Sequence, residues 1–111
     1  MSAVRYVIRV EVAPDVERAW NDWNTAHHIP EVLAEPGFVR AIKWRADGAA
    51  KDGWVEYWIQ YEMESREALE AYLTGDAVKR LRADQLARFG PGVRLSRLIL
   101  LPIATVEKPA P

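Results

Sequence analysis

The chain opens on strict alternation: Val4, Tyr6, Ile8, Val10 and Val12 share one face, while Arg5, Val7, Arg9 and Glu11 share the other. Period two with β-branched residues predicts a strand over Val4–Val12 with one well-buried face. The rhythm then changes. Pro14 and Asp15 suit the first turn of a helix, where a missing N–H costs nothing and a carboxylate meets the positive end of the dipole. Val16, Ala19, Trp20, Trp23 and His27 follow the i, i+3, i+4, i+7 spacing of a buried stripe. A residue before proline is pushed out of the α region, so the regular helix is expected to end near His28, ahead of Pro30. Glu31–Glu35 then adds a short helical turn before Pro36-Gly37.

Phe38–Arg45 reads as a second strand, with Phe38, Ile42 and Trp44 on one side and Val39, Ala41, Lys43 and Arg45 on the other. The loop composition of Asp47–Gly53 predicts a hairpin into a third strand, Trp54–Met63. There Val55, Tyr57, Ile59 and Tyr61 form the core face, opposite Trp54, Glu56, Trp58 and Gln60. Ser65 can cap a second helix with the stripe Ala68, Leu69, Tyr72 and Leu73. Gly75 ends it, and Asp76 can cap a third helix whose apolar side is Val78, Leu81, Leu86 and Phe89. Gly90-Pro91-Gly92 stops that helix before a last strand, Val93–Ile103, and residues 104–111 read as a loose tail.

This β-α-β-β-α-β order, with the second helical stretch split in two, is the ferredoxin-like pattern. It implies an α+β domain over residues 1–103 with one four-stranded antiparallel sheet and helices on one face. The other face mixes Arg5, Val7, Arg9, Glu11, Glu56, Trp58 and Gln60 with apolar residues of the last strand, a composition that suits a subunit interface. Homodimerisation through this open face is therefore expected, with Arg9 and Glu56 as an interface ion pair.

Composition narrows the function. A length of 111 residues fits one domain, and 28% charged residues with 50% hydrophobic ones fit a globular protein. The formal charge of −1 argues against a general affinity for nucleic acid. No cysteine is present, which removes thiolate nucleophiles and Cys-based metal sites. Neither a signal peptide nor a membrane span is evident, so a cytoplasmic location is expected. Charge is uneven: six acids and one base lie between Glu11 and Glu35, six bases and one acid between Lys79 and Arg97. Two solvated faces explain this, and so would capture of an anionic substrate by Arg88, Arg94 or Arg97.

Two motifs resemble a known family. One is Trp20-x-x-Trp23 followed by His28-Ile-Pro-Glu-Val-Leu33; the other runs from Tyr72-Leu73 through Leu81-Arg-Ala83 to Leu86-Ala-Arg-Phe-Gly90. Together they resemble small bacterial proteins of the DUF4286 type, in the dimeric α/β-barrel superfamily. The resemblance covers about Tyr6 to Ile103. It implies the ferredoxin-like fold and a pocket between the first helix and the sheet. The superfamily holds cofactor-free monooxygenases, polyketide cyclases, lactone isomerases, haem-degrading oxygenases and ligand-binding modules.

The candidate chemistry gathers in nine consecutive residues, Trp20 to His28. His27 and His28 are the only histidines, and an imidazole near neutrality can take and give a proton. On an ideal helix His27 falls on the Trp stripe and His28 about 100° away, though Pro30 could re-aim the second. Trp20, Trp23 and Asn24 are candidate pocket walls, and Tyr57 and Tyr61 candidate hydrogen-bond donors. Adjacent histidines diverge on a helix, so no metal site is expected, and no cofactor. The expectation is a small-molecule enzyme performing cofactor-independent acid–base chemistry (cyclase, isomerase, lyase or monooxygenase type) on an aromatic or polyketide-like substrate. Its rival is a non-catalytic ligand-binding or dimerisation module.

Overall fold

The computed structural model describes residues 3–48, 50 and 52–111. The expected domain start at Met1 and the Ala49 and Lys51 positions of the expected loop lie outside the described residues. The elements are β1 (Val4–Val12), α1 (Glu17–Trp23), a π-helical turn (Asn24–His28), α2 (Ile29–Leu33), β2 (Phe38–Arg45), β3 (Val55–Met63), α3 (Arg66–Thr74), α4 (Asp76–Phe89) and β4 (Val93–Leu100). The sheet order is β2-β3-β1-β4, and every neighbouring pair is antiparallel. This is the expected α+β, ferredoxin-like architecture, with all helices on one face.

Alternation in β1 and β3 builds the core as expected. Val4, Tyr6, Val10 and Val12 on β1 and Tyr57, Ile59, Tyr61 and Met63 on β3 are buried beneath Trp20, Ile29, Val32, Leu69, Val78 and Leu81 of the helical layer. Ser65 caps α3, its hydroxyl accepting the Ala68 N–H at 3.1 Å.

Five local expectations are corrected. First, the chain does not leave helical geometry at His28: Ile29, directly before Pro30, has φ −59° and ψ −47°. A π turn absorbs the proline, with the Ile29 N–H reaching the Asn24 carbonyl five residues back. The wider turn makes room for a ring that would clash with the preceding turn of a regular α-helix. Second, a register shift between Phe38 and Arg40 moves Phe38 to the helix side, away from Ile42 and Trp44. Its ring meets Tyr61 at 5.4 Å and Tyr72 at 4.9 Å, both edge-on. Third, the buried stripe of α4 is Val78, Leu81 and Gln85, whereas Leu86 is 69% exposed. Fourth, Gly75 and not Asp76 holds the N-cap position of α4; Asp76 sits in the first turn. Fifth, β4 ends at Leu100, which pairs with Arg5. β1 begins one residue earlier, at Val4, and Pro102 has no N–H to extend the ladder. Residues 101–111 belong to no helix or strand and are exposed.

The open face has the expected mixed character. Arg9 pairs with Glu56 at 2.8 Å and Arg5 with Glu62 at 2.6 Å. Among them lie Val7, Trp58 and Leu98, with Ile42, Trp44 and Leu100 exposed toward its edges.

Candidate functional site

The π turn sets the site. An α-helix would carry His27 back over the Trp20 stripe; the extra residue in the turn delays this by one position. His27 is consequently exposed, and His28 comes round beside Asn24 on the sheet side. Asn24 and His28 line a cavity of about 40 Å³ between the helical layer and the centre of the sheet. The floor is apolar: Ile8 and Val10 of β1, Ile59 of β3 and Leu95 of β4. One end is phenolic, formed by Tyr6, Tyr61 and Tyr72. Tyr6 stacks on Tyr61 at 6.2 Å and meets Tyr72 edge-on at 6.3 Å. Helix α4 supplies Leu81, Arg82 and Gln85, and β4 supplies Arg97.

Polar satisfaction divides this layer. Asn24 is 2% exposed, and its Oδ1 has no hydrogen-bond partner. The same holds for buried His28 Nδ1 and Trp23 Nε1. Buried polar atoms are nearly always paired, so three orphans between positions 23 and 28 mark a place prepared for something else. Trp23 stacks on His28, with centroids 4.8 Å apart and planes at 28°. Phe89 at 5.3 Å and the Arg88 guanidinium at 5.4 Å hold the indole from its other sides.

Burial pushes the His28 imidazole below its ordinary value of 6.5; Glu31 and Asp84 oppose this, and Arg97 reinforces it. The ring is therefore neutral at neutral pH and able to accept a proton. Burial raises the tyrosines: Tyr61 far above its ordinary value and Tyr72 to about 12. Both stay protonated and can donate. Arg82 donates to the Tyr6 hydroxyl at 3.2 Å.

Several expected site residues fall elsewhere. Trp20 is fully buried and does not line the cavity; its indole N–H donates to Gln85 Oε1 at 3.1 Å, so it positions a lining residue from behind. Trp23 backs His28 and is likewise not part of the lining. Tyr57 points away from the cavity, toward the start of α1, and donates to Glu17. Burial, helped by that carboxylate, raises its phenol to about 12. Beside it lies Lys43, whose ammonium is 4.8 Å from the Trp20 centroid and 5.1 Å from that of Tyr57. Asn21 Oδ1 at 2.7 Å, Thr25 Oγ1 at 2.9 Å and the Asn21 carbonyl at 3.4 Å accept its three protons. Burial lowers Lys43 to about 8, but this satisfied cation offers no free donor.

Tyr72, Arg82 and Gln85 were not foreseen. Gln85 was detectable, being polar at the position that completes a Val78, Leu81 stripe at i, i+3, i+7. Arg82 carried no signal, since one more arginine in a basic helix is unremarkable in pattern. Among the described residues no three His, Asp or Glu side chains converge as metal ligands, and no helix is long and apolar enough to cross a membrane.

Comparison with solved structures places the fold. The chain is similar to SnoaB, a cofactor-independent oxygenase from Streptomyces nogalater, with TM-score 0.69 and 18% identity over 97% of this chain and 100% of that one. A monooxygenase from Streptomyces coelicolor solved with nanaomycin D gives TM-score 0.67 and 17% identity over 97% and 94% of the two chains. At those identities the likeness is one of fold. The haem degrader MhuD from Mycobacterium tuberculosis, solved with two haems in its active site, gives TM-score 0.65 and 25% identity over 94% and 99%. No curated protein matches the sequence. The ferredoxin-like fold is shared with these solved structures, and a family model described as "Domain of unknown function (DUF4286)" matches residues 3–103, so the chain belongs to the DUF4286 family.

Proposed function

We propose that the protein is a small-molecule enzyme that moves protons without a cofactor, acting on an aromatic or polyketide-like compound held in the cavity beside the π turn. One observation carries this reading: Asn24 Oδ1 and His28 Nδ1 are buried at that cavity without partners. Leaving such groups unpaired costs about 1–3 kcal/mol each, a cost that a ligand's own donors and acceptors would offset. Neutral His28 is the proton acceptor, taking a proton from a phenol, an enol or a carbon beside a carbonyl. Trp23 holds the ring in plane, Asn24 anchors a substrate hydroxyl, and Tyr61 donates to a substrate oxygen. Cyclisation, isomerisation, elimination and oxygenation of an electron-rich ring all begin with that proton transfer. The oxygenases sharing the fold make this chemical class the natural one. The cavity's 40 Å³ is below the roughly 150 Å³ that holds a benzene ring, so binding must widen it.

The test is turnover of a panel of anthrones, hydroxyquinols and lactones, followed by absorbance. His28→Gln should lower kcat by about 10²-fold to 10⁴-fold and leave ligand affinity nearly unchanged, whereas His27→Gln should change neither. Binding of panel members without turnover, or equal turnover by His28→Gln, would replace the enzyme with a ligand-binding module.

The working unit is proposed to be a homodimer formed through the open sheet face, where Trp44 is 53% exposed beside Ile42 and Leu98. Sedimentation should show a dimer that Leu98→Asp dissociates; a monomeric wild type would remove this part of the proposal.

A further inference from the structure

Burial divides the polar groups that line the cavity, and the division defines a ligand. Innermost are the buried, unpaired Asn24 Oδ1 and His28 Nδ1. Outermost, marking the mouth, are Arg82 of α4 and Arg97 of β4. Both are exposed, and both lie on the helix side of the sheet rather than on the charged open face. Arg97 is registered opposite Ile8, so its stem rises from the cavity floor itself. Arg97 acts on both His28 and Tyr72 and Arg82 acts on Tyr72, while Glu31 and Asp84 oppose on His28 and Glu35 on Tyr72. None of those carboxylates lines the cavity, so among the described residues the two arginines are its only charged walls.

Among the described residues five arginines have no carboxylate partner, and of these Arg82 and Arg97 line the cavity whereas Arg18, Arg45 and Arg80 do not. Arg5, Arg9, Arg40, Arg66, Arg88 and Arg94 each have a carboxylate partner. Arg82 and Arg97 take part in no ion pair among the described residues, and Arg82 has only the Tyr6 hydroxyl. Two cations at the rim of an apolar cleft focus the local field and favour an anion. A guanidinium also fits a carboxylate through two parallel hydrogen bonds. The inner end calls for the opposite group: a hydroxyl whose proton meets Asn24 Oδ1 or the His28 ring.

We propose that the cavity takes a hydroxyaryl carboxylate, its carboxylate held at the mouth by Arg82 and Arg97 and its ring hydroxyl directed inward to Asn24 and His28. This deepens the acid–base reading and rests on it for the role of the hydroxyl alone; the anion preference stands on the arginines. The arrangement also fixes orientation. A ligand of this class enters hydroxyl first, because the reverse pose would bury a carboxylate in an apolar chamber against Asn24 Oδ1.

The experiment is calorimetric titration of the full chain with 4-hydroxybenzoate and 6-hydroxy-2-naphthoate, each beside its methyl ester. The wild type should bind at least one acid about tenfold or more tighter than its ester, and the preference should shrink as salt is raised. Arg82→Gln with Arg97→Gln should reduce the preference to about twofold or less, while Arg80→Gln, removing an exposed cation of the same helix that does not line the cavity, should leave it intact. Equal affinity for acid and ester, survival of the preference in the double variant, or no binding of either acid at millimolar concentration would each overturn the assignment. His28→Gln separates the two readings. If it abolishes turnover but keeps the acid preference, both stand. If it turns over normally and keeps the preference, the proton-transfer reading fails and the ligand class survives. Loss of the preference in the wild type with turnover still dependent on His28 leaves only the proton-transfer reading.

Discussion

The two ends of the first helical stretch, one turn apart, treat their polar groups in opposite ways. At the α1 end every buried polar contact is closed: Trp20 to Gln85, Tyr57 to Glu17, and Lys43 to Asn21 and Thr25. At the π turn the polar groups are buried and left open: Trp23 Nε1, Asn24 Oδ1 and His28 Nδ1. Both ends pack on the same sheet with the same kinds of residue, so burial alone does not explain the difference. The closed end behaves as a brace, and the open end stores an unfavourable desolvation that a ligand can relieve.

Mutations at the two ends should therefore have different signatures. The largest effect belongs to the brace. Trp20→Ala removes a fully buried indole and leaves Gln85 without its partner, and it should cost about 3–5 kcal/mol in denaturant unfolding. A cost below 1 kcal/mol would show that Trp20 is not a brace. Next comes a matched pair. Gln85→Leu strands the Trp20 N–H and should destabilise by about 1–3 kcal/mol. Asn24→Leu removes an atom that has no partner to lose and should leave stability unchanged or raise it by about 1 kcal/mol, while weakening ligand binding. Equal destabilisation by the two would erase the distinction between the ends.

The smallest effect is that of pH. The folded-state pKa of His28 lies below its ordinary 6.5, so in the window between the two values the unfolded chain binds the extra proton. The stability that neutral His28 contributes is full above 6.5 and falls as pH drops toward the folded value. Thermal melts should show the wild type losing ground to His28→Gln as pH falls from about 7 to 5. Parallel melting curves would mean that burial does not perturb the ring. Catalysis should follow the same group, rising with pH through the lowered pKa and then levelling.

Much of the fold was legible because period two and period 3.6 report burial directly. Val4–Val12 and Phe38–Arg45 matched their strands residue for residue, and Ser65 capped its helix. What periodicity missed or left open shares a cause. Phe38 changed faces through a bulge, and the choice between His27 and His28, open in the sequence, turned on a π turn. Each is a one-residue irregularity, and one residue is enough to reverse a face in a strand or rotate one in a helix. Simple periodicity cannot register a slip that packing imposes. Leu86 and Gln85 exchanged expected roles for a related reason: hydrophobicity favoured Leu86 inside, but the buried Trp20 N–H required an acceptor, which Gln85 provides.

By itself, then, the sequence determined the β-α-β-β-α-β order, the one-sided helical layer, the mixed open face and the stretch that supplies Asn24 and His28 to the cavity. All of these follow from local spacing of apolar side chains, which each segment carries whatever its neighbours do. Only the tertiary structure decided which imidazole faces inward, which tryptophan braces and which backs a histidine, and that Arg82 and Arg97 line the same cavity. Those outcomes depend on where α4 and β4, some 60 to 70 residues downstream of the first helix, come to rest against it. Contacts between distant segments are set by packing and polar satisfaction across the whole layer, and no local pattern encodes them.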